Sequence, residues 1–435
     1  MPAEMKPIRL MTLAPGHFHA ALVQKQTPPG AAARCHVYGP LDADTTAHLA
    51  RLAEFNARPG DPTRWEVDLR AGPNWLERFL REQPGNTVVL SGRNRPKIDL
   101  MRHAVGQCLC VLADKPWVVE PADFPKLEEL FRDADLREVL VWDVMTERHE
   151  VTNRLQRELV RDPDVFGSWQ AGTPEQPGLT LESVHHLKKS VAGRPLVRPW
   201  WWFDPLVSGD ALADVGTHLA DLAIWLVAPD RAIDHTTDVA VLAAEAWPTL
   251  LSGGQFREAT GLASYPPELA TRVVNGQLYY AGNGRTTVRL AGVHVQLGVQ
   301  WEFEAPPGGG DTHSAVALGT RACVSVRQKP DGDPEVFVAA LDPADHAQMV
   351  RLLYVKCDDL REQFPGLGMI DRGGEVQFRI PCELRVGHEA HFAAVMEEYA
   401  RYFQSPRAVP PWERPNLLAK YFITTTAVEL ARGGR

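Results

Sequence analysis

Residues 87–116 read TVVLSGRNRPKIDLMRHAVGQCLCVLADKP. Two short apolar runs, 87–90 and 108–113, flank a helical segment at 97–106. A run that is apolar without alternation belongs to a strand covered on both faces, and strands that alternate with helices form a parallel sheet. The pattern extends outward on both sides. It predicts strands at 8–13, 35–38, 65–69 and 139–143 and helices at 20–26, 45–56, 74–82 and 123–134. The expected architecture is a Rossmann-type doubly wound parallel sheet. Such sheets bind ligands beyond the carboxyl ends of their strands. Asp114-Lys115-Pro116 stands at one such end, and Gly16-His17-Phe18-His19 follows the first strand.

With 435 residues the chain exceeds the size of a single core, so two domains are expected, 1–148 and 149–435. A net charge of -9 leaves no basic field for nucleic acid or an anionic membrane, which points to a small-molecule partner. No long apolar run and no signal-peptide pattern are present, so a cytoplasmic protein is expected. The six cysteines contain no C-x-x-C pair, and no metal site is expected. Cys108 and Cys110 read as core residues sharing one face of a strand.

In the second half, Leu212, Val215, Leu219, Leu222 and Leu226 form an apolar helical stripe, and Asp214, His218, Asp221 and Trp225 run beside it. That polar line is either the wall of a cleft or a solvated face with an i, i+4 pair. Ser208, Gly209 and Asp210 supply cap residues. Trp200-Trp201-Trp202 lie in a stretch read as extended, where each either stacks on a sugar face or packs a core. Strict alternation predicts a strand at 293–304, Asn275-Gly276 and Asn283-Gly284 read as hairpin turns, and 305–310 reads as a loop before a strand at 322–327. Helices are expected at 343–365, 388–404 and 417–432, the last packing back on the first domain; His388 and His391 read as structural. The second domain is therefore α+β, with a large open, mainly antiparallel sheet.

Asp114-Lys115-Pro116 is similar to the Glu-Lys-Pro of the Gfo/Idh/MocA oxidoreductases, the superfamily of glucose-fructose oxidoreductase and inositol dehydrogenase. The segment from Gly209 through Asp214, Gly216, His218 and Asp221 resembles their Gly-Gly-x-x-x-Asp-x-Gly-x-His-x-x-Asp helix, and Arg93-Asn94-Arg95-Pro96-Lys97 echoes a further motif. The combination of Gly16-His17-Phe18-His19, Thr146-Glu147-Arg148 and Val184-His185-His186 looks like a less characterised branch. Two of the three glycines usual in the first turn are absent, and Asp replaces Glu before the lysine.

The resemblance implies hydride transfer between NAD or NADP and a hydroxyl-bearing carbon of a sugar, polyol or glycoside. Lys115, His218 and Asp214 are the expected catalytic residues. Gly16, His17, Phe18, His19, Ser91, Gly92, Asn94, Asp114 and Lys115 are expected at the cofactor. Arg148, His186, Trp202 and Asp214 are expected at the substrate. Alternatives are a redox-neutral glycoside-cleaving enzyme with bound NAD, and a non-catalytic nucleotide- or sugar-binding regulator. A homo-oligomer, dimer or tetramer, is expected.

Overall fold

The computed structural model describes residues 6–191 and 194–433. The chain forms two compact units: the first contains residues up to 146 with 206–209 and 387–411, the second 147–205, 210–386 and 412 onward.

In the first unit, β1 (Leu10–Leu13), β2 (Arg34–Gly39), β3 (Glu66–Ala71), β4 (Thr87–Leu90), β5 (Cys110–Asp114) and β6 (Val141–Val144) make a parallel sheet in the order β3-β2-β1-β4-β5-β6. Every residue of β1, β4 and β6 is buried, as unbroken apolar runs require. The helix Ala43–Ala57 starts where Asp42 accepts the Thr45 amide at 2.9 Å.

Two expectations change here. The helix expected at 20–26 is a single turn, His19–Leu22. Cys108 is exposed, with φ 59°, in the turn before β5, so it shares no strand face with Cys110. The helix His388–Gln404 also belongs to the first unit. Its Phe392, Val395, Met396 and Tyr399 join Leu10, Leu112, Trp142 and Val144 in one core. Such fully buried side chains are each worth about 1.5–3 kcal/mol. The Tyr399 hydroxyl also meets Thr87 Oγ1 at 2.8 Å.

The second unit is built on a ten-stranded sheet. Its main path uses β7 (Leu179–Lys188), β8 (Val239–Ser252), β9 (Gln277–Leu290), β10 (Val293–Glu304), β11 (Thr312–Leu318), β12 (Ala322–Arg327), β13 (Glu335–Ala340), β14 (Gly368–Asp371) and β15 (Val376–Arg379). Their order is β8-β9-β10-β7-β11-β12-β13-β15-β14, and Val273–Val274 pairs with β9 off that path. All pairs are antiparallel except β10 with β7. The helix Val215–Val227 and the last helix, Glu413–Ala431, belong to this unit.

Asn275-Gly276 makes the expected turn, both residues having positive φ. Asn283-Gly284 does not. It lies inside β9, and the turn into β10 is Ala291-Gly292, with φ 50° and 89°. A Cβ on Gly284 would stand 2.5 Å from Leu212 Cδ2, so this glycine answers close packing rather than chain reversal. β11, in a segment left without a strand by the sequence reading, separates the 305–310 loop from β12. The tryptophans are not extended either: Trp200–Phe203 is a turn of 3-10 helix with Trp201, Trp202 and Phe203 buried.

Candidate active site

In the first unit, the site is assembled at the carboxyl ends of β1, β4 and β5. Gly92, just past β4, packs under the turn after β1. A Cβ there would lie 2.4 Å from the Ala14 carbonyl oxygen, so only glycine permits the approach. The Gly16 and His17 amides both donate to the Ser91 carbonyl, at 3.1 and 3.2 Å. Those amides are therefore engaged within the protein, unlike the open amides of a glycine-rich phosphate cradle.

Asp114 ends β5 with its carboxylate buried. Its Oδ2 accepts from Ser91 Oγ at 2.9 Å and lies 3.0 Å from His19 Nδ1 and 3.3 Å from His17 Nδ1. Burial works against its charge, but His19 and His17 outweigh it and hold the carboxyl well below its usual range. Burial lowers the pKa of His19, a shift to which His17 adds and which Asp114 opposes.

Lys97, which the sequence reading left without a role, is buried beneath this edge. Its Nζ donates to Asn94 Oδ1 at 2.7 Å and to the carbonyls of Asp114 at 2.6 Å and Pro116 at 3.0 Å. It thereby fixes the backbone on both sides of Lys115, which is half-buried and joined to Pro116 by a cis peptide bond. Asn94 is a scaffold residue as well: its amide nitrogen donates to the Ser208 carbonyl at 2.7 Å. Of the residues expected at the cofactor, His19, Ser91, Asn94 and Asp114 are buried, whereas Gly16, His17, Phe18, Gly92 and Lys115 are half-buried.

In the second unit, the helix of the polar stripe begins later than expected. Asp210 Oδ1 accepts the amides of Leu212 and Ala213, both at 3.1 Å, in a turn that precedes it, and Asp214 occupies the N-cap position of Val215–Val227. From Ala211 to Ile224 every residue is buried except Asp214 and His218, which are half-buried. The two part-exposed residues of that segment are thus polar and one turn apart.

Asp221, on the same stripe, is fully engaged. Its oxygens accept from Arg148 Nε and Nη2, each at 2.7 Å, and from Lys420 Nζ at 3.1 Å, while Arg148 Nη1 donates to Glu413 Oε1 at 2.9 Å. Burial opposes the charge on Arg148, but Asp221 and Glu413 outweigh it and hold the guanidinium protonated. All three guanidinium nitrogens of Arg148, a residue expected at the substrate, are engaged by carboxylates of this unit.

His186 is buried, with its amide donating to Asp311 Oδ1 at 2.9 Å and its Nδ1 3.2 Å from the same oxygen. Burial works against the Asp311 charge, but His185 and Lys189 hold the carboxyl below its usual range. Asp311 was missed because it follows a glycine-rich run that carries no periodicity. Trp202 is buried against Tyr280 and Trp301, at centroid distances of 4.9 and 5.0 Å, under the Arg198 guanidinium at 4.2 Å. The structure thus packs it in the core, the second of the two readings open to it. Asp214 lies within electrostatic reach of both Tyr280 and Arg198: it adds to the burial that raises the Tyr280 pKa and opposes the burial that lowers that of Arg198.

Residues 155–432 match the family described as "Putative oxidoreductase C terminal domain". The chain belongs to this family. It is similar over 99% of its length, and 99% of the other chain's, to the crystal structure of a putative oxidoreductase from Parabacteroides merdae, at 38% identity and a TM-score of 0.96. An oxidoreductase from Agrobacterium radiobacter in complex with NAD+, L-tartaric acid and magnesium matches 99% of this chain and 98% of its own, at 11% identity and a TM-score of 0.58. KijD10, a 3-ketoreductase from Actinomadura kijaniata in complex with NADP, matches 97% of both chains at 14% identity and a TM-score of 0.56. At these identities the last two show a shared fold. No curated protein matches the chain. Among the described residues, no helix is long and apolar enough to cross a membrane.

Proposed function

We propose that the protein is an NAD(P)-dependent oxidoreductase of the Gfo/Idh/MocA type. It transfers hydride to or from a hydroxyl-bearing carbon of a sugar, polyol or related glycoside. One observation carries the reading: the strand order β3-β2-β1-β4-β5-β6, whose direction reverses between β1 and β4, is that of dinucleotide-binding sheets. The NAD+ and NADP held by the Agrobacterium and Actinomadura proteins support it.

The edge at β1 and β4 fits a dinucleotide with one departure. Gly92 keeps the two turns in close approach, and Gly16, His17 and Phe18 leave a half-buried surface there. Because the turn amides are engaged by Ser91, phosphate contacts come from side chains rather than from an amide cradle. NAD or NADP, when bound, supplies the hydride acceptor or donor. The protein supplies the rest. Lys115 polarises the substrate oxygen, His218 takes or returns the hydroxyl proton, and Asp214 orients substrate and shares that proton network.

The test is incubation with NAD or NADP and a panel of sugars and polyols, read by reduced-nicotinamide fluorescence. A substrate that raises the signal supports the reading, and Lys115→Ala and His218→Ala each lower that rate by about 10²–10⁴-fold. No signal with any member, in either direction, counts against it.

A further inference from the structure

We propose that His17, His19 and Asp114 form a binding site for one divalent transition-metal ion of the zinc class. One donor atom from each of the three residues lies within 4.8 Å of the other two. The two imidazole Nδ1 atoms stand 3.0 and 3.3 Å from Asp114 Oδ2. A tetrahedral ion with bonds of about 2.0–2.1 Å separates its donors by roughly 3.3–3.4 Å, close to both separations from Asp114 Oδ2.

The donor chemistry selects the ion. Two imidazoles and one carboxylate suit zinc, cobalt or nickel rather than magnesium or calcium, which take oxygen ligands. Three protein ligands with a further position open is the arrangement of a reactive, rather than a purely structural, zinc site. Here the His17 side chain is 24% exposed, so water or an anionic oxygen would have access to the fourth position.

The surroundings carry two further features of such a site. Asp114 Oδ1 is buried and makes no hydrogen bond among the described residues, a costly state for a carboxylate oxygen that a neighbouring cation relieves. Behind the ligands, Ser91 Oγ holds Asp114 Oδ2, and His388 Nε2 lies 3.4 Å from His19 Nε2. When His19 turns its Nδ1 lone pair to a metal, its ring proton resides on Nε2, where His388 accepts it. That second interaction fixes tautomer and ring orientation together. The site does not depend on the dinucleotide reading, because it is formed by protein groups alone.

The experiment uses the full chain, stripped with a chelator and titrated with Co²⁺, whose visible absorption reports imidazole ligation in a low-coordinate site. The expected result is saturable, equimolar binding with that absorption, reversed by Zn²⁺. His17→Ala, at a half-buried position, weakens binding by about tenfold or more, and the near-isosteric Asp114→Asn does the same should the first variant fold poorly. An absent absorption change, or an affinity unaltered in a folded His17→Ala or Asp114→Asn protein, overturns the proposal. Titration with NAD and NADP is scored separately, so the two readings fail independently.

Discussion

The Lys97 ammonium donates to the Asp114 carbonyl at 2.6 Å from a fully buried position. The same nitrogen reaches Pro116, two residues on. A buried charge thus grips the backbone on either side of Lys115, the residue assigned the substrate oxygen.

Replacing Lys97 with Met removes that charge and leaves the Asn94, Asp114 and Pro116 oxygens without this donor. A loss of at least about 2 kcal/mol in unfolding free energy is expected, measured by urea denaturation. Stability unchanged within error would show that the three contacts contribute nothing net.

The same reasoning applies more strongly to the second unit. Arg148→Met strands the Asp221 and Glu413 carboxylates, leaving Lys420 as the cation on Asp221. Breaking such a buried network costs about 3–5 kcal/mol. Calorimetric melting of the variant checks it, and a melting temperature equal to wild type would show that the network contributes nothing net to stability.

Acid sensitivity follows from two histidines. Burial pushes His48 and His313 down to about 4 from the usual 6.5. As pH falls below 6.5 the unfolded chain binds protons that the folded chain refuses. Stability is therefore complete above pH 6.5 and drains away as pH falls towards 4, by up to about 3 kcal/mol per residue. Thermal scans across this window should show a falling midpoint, less steep in His313→Gln; an unchanged midpoint from pH 7 to 4 would contradict the assignment.

Gly92→Ala places a methyl 2.4 Å from a backbone oxygen that cannot swing away. The variant should lose about 1–3 kcal/mol and bind dinucleotide more weakly, as titration calorimetry would show. Binding equal to wild type would separate this turn from the cofactor.

Much of this was legible in the sequence where one physical demand dominates. The parallel sheet was, because strands buried on both faces are built mainly of apolar residues. Strand Val293–Glu304 and helix His388–Gln404 were readable to their ends, because each alternates or repeats cleanly. Asn283-Gly284 misled because glycine serves close packing as well as turns, and Leu212, which requires it, lies 72 positions earlier. The roles of Lys97 and His388 were not legible: one depends on carbonyl groups, which every residue has, and the other on a contact 369 positions away. Asp214 and His218 were singled out by spacing, and both are half-buried.

The central claim is that this chain uses a nicotinamide dinucleotide, and titration calorimetry of the purified protein with NAD and with NADP tests it most directly. The account predicts saturable, equimolar binding of at least one of them. Absence of heat with both, from a protein shown to be folded, would contradict it.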